Sequence, residues 1–439
     1  MCKTIMLVRH GKAKKIQEGQ ADTDRPLTQA GRYSLQATVP KAFKSLRKKM
    51  SAEGASVAIW TSPAMRSCQT ADIIRLSLGL DGFERRDSLA ASDLTTPLEE
   101  ALTDHHDIII LIGHAPAINK AAAMLCGVPL PFEAGAIASF SISQQPPTCQ
   151  MPPKPKTLRW FIQGPDVSCW EVVCSAEDLI KAQANLVQAC FRGFFETPTS
   201  SRALHELRVS MRKLRSYMAF LSPYLKKKPA HAVQRSLHDL FLLTTQLREL
   251  DVFAECVHTL TPEARELPAV CSDRRDAECE HVIAAFTAYA ARHNEKKLYR
   301  ALHHLPWKGS VLKEGISQEA LKLRYQGMYA SYKNKLASLD YEIFAEVHHT
   351  RKRAKSLRYL SGVLPSGTSE NTKNIEQLTC ATQDLLGDLC DARSNLGMAD
   401  KLFQEDLSAQ AKEELGHLHE VLEANSHKLL NQLKTQDEQ

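Results

Sequence analysis

The sequence predicts an α/β layered domain followed by an all-α domain, and three observations carry that prediction. The first third alternates short β-branched runs with helical patterns. From about residue 176 onward the apolar residues follow the helical period almost without a break. Within that helical region an unusual charge pattern occurs twice, which marks two related halves.

The elements follow in chain order. "KTIMLV" (3–8), "VAIWT" (57–61) and "IIILIG" (108–113) read as buried strands, with helices expected over 28–49, 64–78 and 117–126. "AIASFSI" (136–142) is a further strand. The prolines of "SQQPPTCQMPPKPKT" (143–157) exclude regular structure, and "LRWFIQGP" (158–165) reads as a returning strand. The proline-rich piece is therefore expected to be a long hairpin loop inside a first domain of residues 1–166. The second domain, 176–430, contains long helical runs such as "AEDLIKAQANLVQACFRGFFE" and "DRRDAECEHVIAAFTAYAARHNEKKLYRALHHL". They are separated by breaks at "ETPTSS", "LKKKPAH", "LTPEARELP", "PWKGSV" and "LPSGTSENT".

Composition narrows the class. A chain of 439 residues with 43% apolar and 24% charged residues is that of a globular protein of more than one domain. No apolar run approaches the roughly 20 residues needed to cross a membrane. The opening "MCKTIMLVRHG" is interrupted too soon by Arg9 and His10 to be a secretory signal, so a cytoplasmic site is expected. The 12 cysteines are scattered singly, without CxxC or paired metal spacing, and read as reduced thiols. A formal charge of +6 says little about a polyanion partner unless it is concentrated.

It is concentrated. "LHELRVSMRKLRS" (204–216) sets His205, Arg208, Arg212 and Arg215 at positions zero, three, seven and ten, with Lys213 beside them. At roughly 100° per residue these four project into an arc of about 80°. "VHHTRKRAKSLRY" (347–359) repeats the spacing in His348, Arg351, Lys355 and Arg358, 143 positions further on, flanked by Lys352 and Arg353. A surface helix normally mixes charges of both signs, so two matched basic stripes predict an anion-binding surface. The alternative is a solvated face balanced by "LRELDVF" around Asp251 and "LGDLCDARSNL" around Asp388 and Asp391. "LKKKP" (225–229) is most simply a solvated helix end.

The first domain carries chemistry of another kind. "MLVRHGKA" puts Arg9 and His10 where a buried strand ends and a glycine turn begins, a common position for reactive residues in α/β folds. "DTDRPLTQAGR" (22–32), "TSPAMRSCQTA" (61–71) and "LIGHAPAI" (111–118) follow, the last placing His114 after another strand end. Over roughly residues 3–166 these pieces resemble the histidine-phosphatase superfamily, most closely its small bacterial phosphohistidine-phosphatase branch. The resemblance implies His10 as a nucleophile that becomes a phosphohistidine, which splits hydrolysis into two easier steps. It also implies a phosphate pocket of Arg9, Arg66 and His114, with Arg25 as a further contact unless its side chain anchors its loop. Lys12, Lys14 and Lys15 read as a solvated loop that adds local positive potential. Relatives acting on alcohol esters protonate the leaving oxygen with a carboxylic acid, and Asp93 in "SLAASDL" is the candidate. Its plain context favours leaving groups that need less help, such as a phosphoramidate nitrogen or a phosphate of an anhydride chain. With arginines supplying positive charge, neither a metal nor another cofactor is expected.

The striped helices carry a second resemblance, to the CHAD domain, the conserved histidine α-helical domain, over roughly residues 176–430. It implies two pseudo-symmetric helical bundles, each presenting a histidine-and-arginine helix to a basic cavity, and inorganic polyphosphate as partner. Guanidinium forks spaced along a helix face suit successive phosphates. Nucleic acid is the disfavoured rival, because the stripes lack interleaved aromatics for stacking and Tyr217 and Tyr359 read as packing residues. The expected function is a metal-independent phosphohydrolase with a module that binds polyphosphate as substrate or as tether, the latter implying association with polyphosphate granules. A phosphohistidine-bearing protein is the other candidate substrate. The alternative is a polyphosphate-binding scaffold with an inactive phosphatase-like domain.

Overall fold

The computed structural model describes residues 2–143, 157–292, 294–361 and 370–437. The chain forms two compact units, Met1–Ser175 with Gly309–Ser317, and Ala176–Lys308 with Gln318–Gln439.

In the first unit, strands β1 (Cys2–Arg9), β2 (Val57–Thr61), β3 (Glu84–Arg85), β4 (Ile108–Gly113), β5 (Ile137–Ser143) and β6 (Thr157–Ile162) form one sheet. Its order is β3-β2-β4-β1-β5-β6. β1 to β4 run parallel, β5 runs against β1, and β6 against β5. Helices α1 (Gln29–Ala42), α2 (Lys44–Glu53) and α3 (Met65–Leu78) cover one face, and α4 (Thr95–Thr103) and α5 (Ala117–Cys126) cover the other. Met6, Val8, Ile110 and Ile112 pack on the first layer, whereas Ile5, Leu7, Ile109 and Leu111 pack on the second. Strands buried on both faces need apolar residues at every position, which is why "IIILIG" contains no polar side chain.

Several details depart from the sequence reading. The helix expected over 28–49 is two helices, because the backbone of Phe43 leaves helical geometry while its side chain is fully buried. α4 and the two-residue β3 were not anticipated. The proposed hairpin loop falls at residues 144–156, outside the described residues, although the strands on either side of it do pair.

The helical series continues with α6 (Ser168–Glu196), α7 (Ser201–Leu221), α8 (Lys227–Leu243), α9 (Thr245–Leu260), α10 (Leu267–Ala291) and α11 (Asn294–His303). It ends with α12 (Gly309–Glu314), α13 (Gln318–Ala337), α14 (Phe344–Ser361), α15 (Glu370–Phe403) and α16 (Ala409–Asp437). α6 begins earlier than residue 176, since the Asp166 carboxylate accepts from the Ser168 N–H at 2.9 Å and starts the helix there. α12, which the sequence reading places in the helical domain, packs in the first unit: the Ile316 N–H donates to the Cys169 carbonyl at 3.0 Å. Gly315 makes this approach possible, because at φ +73° it lies so close that a Cβ would stand 2.6 Å from the Cys169 carbonyl carbon.

In the second unit, Leu204, Leu207, Met211, Leu214 and Met218 form the buried side of α7, and Val347, Thr350, Ala354 and Leu357 that of α14. α7 packs against α14, α14 against α15, and α15 against α9. One apolar core lies among α6 to α10, and another joins α14, α15 and α16. The break expected at "LPSGTSENT" lies largely in residues 362–369, outside the described residues. Among the described residues no helix is long and apolar enough to cross a membrane.

Candidate active site and basic surface

β1, β4 and β2 end side by side on one edge of the sheet, and the residues just past their ends are His10, His114 and Ser62. The His10 N–H donates to the Gly113 carbonyl at 3.2 Å, and the Ser62 N–H to Ile112 at 3.0 Å, so neighbouring strands fix both positions. Gly11, next to His10, leaves room for Leu35, because a Cβ there would lie 2.6 Å from Leu35 Cδ1. Arg66, in the first turn of α3, reaches between the histidines: Nε donates to His10 Nε2 at 3.2 Å, and a terminal nitrogen donates to His114 Nδ1 at 3.3 Å. The two rings meet edge to face, 4.9 Å between centroids.

These contacts assign the tautomers. A carbonyl can only accept, so His10 Nδ1, 2.8 Å from the Gly11 oxygen, carries the ring proton and Nε2 keeps its lone pair. A guanidinium can only donate, so His114 Nδ1 accepts from Arg66 and the Nε2–H donates to Ser62 Oγ at 2.8 Å. Burial pushes His10 down to about 3, and His114, Arg66 and Arg9 add repulsion against its cation. Burial and then Arg66 push His114 down to about 4. The site thus holds a half-buried, neutral imidazole whose unprotonated nitrogen faces fixed positive charge.

A pH profile follows from these directions. With its protonation moved far below the ordinary value, His10 keeps its lone pair throughout the weakly acidic range. After correction for substrate ionisation, kcat/KM should stay level from about pH 8 to about pH 5, where an ordinary imidazole would already be charged. A decline centred near the ordinary histidine value of about 6.5 would contradict the neutral state of His10.

The other expected residues are placed unevenly. Arg9 donates to the Phe132 carbonyl at 2.7 Å, while its buried Nε has no partner among the described residues. Arg25 holds its own loop, donating from Nε to the Lys14 carbonyl at 2.8 Å and from a terminal nitrogen to Asp22 at 2.6 Å. Asp93 is exposed and accepts from the Thr95 N–H at 3.2 Å and from the Thr95 hydroxyl at 2.9 Å, next to the start of α4. Two participants escaped the sequence reading. Ser62 fixes His114, and Asp22 takes Arg66 at 2.7 Å. Both stand inside quoted motifs, but their side chains are common loop residues with no distinguishing spacing. Asp104, His105 and His106 bring possible metal-ligand atoms together, but ahead of β4, at the opposite end of that strand from His114, and His105 is exposed.

In the second unit the two stripes face one another. Arg212 on α7 acts electrostatically on His348, Lys352 and Lys355 of α14, and Lys355 acts in turn on His205. Burial and then Arg351 and Arg212 pull Lys355 down to about 8; burial and then Lys352 take His348 down to about 4. His205, Arg215 and Lys352 also titrate below their ordinary values, with burial the leading cause in each. Among the described residues, Arg212, Lys213, Arg215, Lys355 and Arg358 form no ion pair, so positive charge is gathered here, although Asp391 acts on Lys355.

The duplicated arginines are nevertheless not equivalent. Arg351 donates both terminal nitrogens to Asp391, at 2.9 and 3.1 Å; burial alone would lower it, but this pairing raises it. Among the described residues Arg208 has no carboxylate partner of this kind. It donates to Thr244 Oγ1 at 2.6 Å and the Phe241 carbonyl at 3.1 Å, and burial, with Arg212 and Arg248, draws it down to about 9. The Phe241 ring from α8 sits beneath Arg208, Arg212 and Arg215, with guanidinium carbons 4.1, 5.5 and 5.1 Å from its centroid. Tyr217 and Tyr359 are both buried, and Tyr359 also receives Lys213 and Arg358 over its ring.

Comparison with known proteins gives two family matches. The model described as CHAD domain matches residues 179–400, just over half of the chain, and that described as histidine phosphatase superfamily (branch 1) matches residues 5–96. Among solved structures, the CHAD domain from the plant Ricinus communis is similar at 20% identity and a TM-score of 0.50, over 58% of this chain and 86% of that one. The putative phosphohistidine phosphatase SixA from Agrobacterium tumefaciens is similar at 19% identity and a TM-score of 0.30, over 36% of this chain and 97% of that one. No curated protein matches the chain.

Proposed function

The chain belongs to the CHAD domain family and carries an N-terminal histidine-phosphatase domain, and from that premise we propose a metal-independent phosphohydrolase that works through a phosphohistidine at His10 and binds inorganic polyphosphate with its helical module. The observation that carries the reading is the state of His10, with Nδ1 tied to a carbonyl and Nε2 unprotonated beside Arg66.

His10 Nε2 attacks phosphorus, and the new P–N bond forms as the bond to the leaving group breaks. The leaving group departs with the electron pair. Water then attacks the same phosphorus, the P–N bond returns its electrons to the imidazole, and phosphate leaves as the water proton passes to solvent. Arg66, Arg9 and His114 surround the charge that spreads over the phosphoryl oxygens. Asp93 remains the candidate acid for an ester substrate, but its engagement with Thr95 favours leaving groups that need no carboxylic acid. Asp22 does not fit that role, because its hydrogen bonds from Arg25 and then Arg66 hold its carboxyl below the usual range and keep it charged. The phosphorylated nitrogen of a phosphohistidine protein and the end of a polyphosphate chain both suit such a site.

The facing stripes support polyphosphate as the partner of the helical module, either delivered as substrate or used as a tether to polyphosphate granules in the cytoplasm. Incubating the protein with polyphosphate, a phosphohistidine peptide and an aryl phosphate, and comparing phosphate release, tests the reading. Release from at least one is expected; negligible turnover of all three would leave a polyphosphate-binding scaffold. Because arginines supply the positive charge that metal ions supply elsewhere, activity should survive a chelator unchanged. Full inactivation by the chelator, reversed by a divalent cation, would contradict this.

A further inference from the structure

The cation at the heart of the site is already engaged by a carboxylate of its own chain. Arg66 donates one terminal nitrogen to the Asp22 backbone carbonyl and the other to Asp22 Oδ2 at 2.7 Å, while its Nε is held by His10. Two oxygens thus lie along the fork of Arg66 in the manner of two phosphoryl oxygens. The other carboxylate oxygen of Asp22 accepts from Arg25 at 2.6 Å, so one aspartate occupies two arginines.

Asp22 is also able to leave. Its side chain is 54% exposed, against 9% for that of Arg66. It stands in a loop whose neck is fixed by the Ala13–Leu27 bridge and by the Lys14 N–H to the Pro26 carbonyl at 2.9 Å, while residues 14–19 and 21–24 are exposed.

We propose that Asp22 is a displaceable latch on the phosphoryl site: an incoming phosphoryl group takes its place on Arg66 and releases Arg25, and the returning carboxylate expels the product phosphate. This rests on the phosphohydrolase reading above and gives that site a device for discharging product. It also gives Arg25 a conditional role, since the terminal nitrogen that Asp22 holds is freed when the latch opens, while its Nε stays on the Lys14 carbonyl. A residue that merely orients Arg66 would behave oppositely when removed, because phosphate would lose a well-placed guanidinium.

The test is equilibrium titration of the full chain with inorganic phosphate by calorimetry, for the wild type, Asp22→Asn and Asp22→Ala, with melting curves to show that each variant is folded. Removing a competing, half-exposed carboxylate should tighten phosphate binding by about fivefold in both variants. Product inhibition by phosphate should strengthen in parallel. Unchanged or weaker phosphate binding in the folded variants would overturn the latch. If the wild type releases phosphate from no substrate and yet both variants bind phosphate more tightly, the phosphohydrolase reading fails and the latch survives as a property of an anion site.

Discussion

His10→Ala should abolish turnover, lowering it by several orders of magnitude, because no neighbouring group can replace the attacking nitrogen. His114 is not a substitute. Its Nε2, the counterpart of the attacking nitrogen, is protonated and directed at Ser62 and so has no lone pair to offer. The same substitution leaves Arg9, Arg66 and His114 in place, so substrate should still bind while the chemistry stops, and kcat should fall far more than KM rises. Steady-state kinetics with an aryl phosphate, beside a melting curve for the variant, gives the answer. Turnover within tenfold of the wild type in folded His10→Ala would remove His10 from the nucleophile's role.

The second large effect belongs to the helical unit. Arg212 and Lys355 stand on different helices, act on one another electrostatically, and form no ion pair among the described residues. Changing both to alanine should weaken polyphosphate binding by about a hundredfold or more, since charge-assisted hydrogen bonds contribute about 1.5–3 kcal/mol each. Arg208 and Arg351 are poorer targets, because the first is packed beneath the stripe against Phe241 and the second is tied to Asp391. Binding should also strengthen as pH falls through about 8, where Lys355 gains its proton in the free protein, since a bound polyanion favours the charged form. Calorimetry with polyphosphate of defined length, on variants checked for folding, decides the matter. Unchanged affinity in the folded double variant would mean that the stripes are a solvated face.

What the sequence revealed and what it withheld have physical reasons. β2, β4 and α5 were legible because two-sided burial writes an unbroken apolar run and helix-ending glycine closes α5 at Gly127. His10, Arg66 and His114 stood out because each lies just after a strand end or at a helix start, in a motif of several residues. The placement of α12 in the first unit was not legible, since its docking on Cys169 is a tertiary contact with no local period. Asp22 was hidden for a similar reason: its bond to Arg66 joins residues 44 positions apart, and exposed aspartates are ordinary in loops. The repeated stripe was visible, but its asymmetry was not, because Arg351 finds Asp391 on another helix whereas Arg208 finds hydroxyl and carbonyl groups.

The most direct measurement is identification of the covalent intermediate. The wild-type protein, mixed with excess substrate and quenched within a turnover, should carry a single phosphoryl group on Nε2 of His10, stable in alkali and lost in acid. Peptide mass spectrometry locates the residue and phosphorus NMR the nitrogen. A phosphoryl group found reproducibly on any other residue would contradict the account, as would rapid phosphate release in which His10 never becomes labelled.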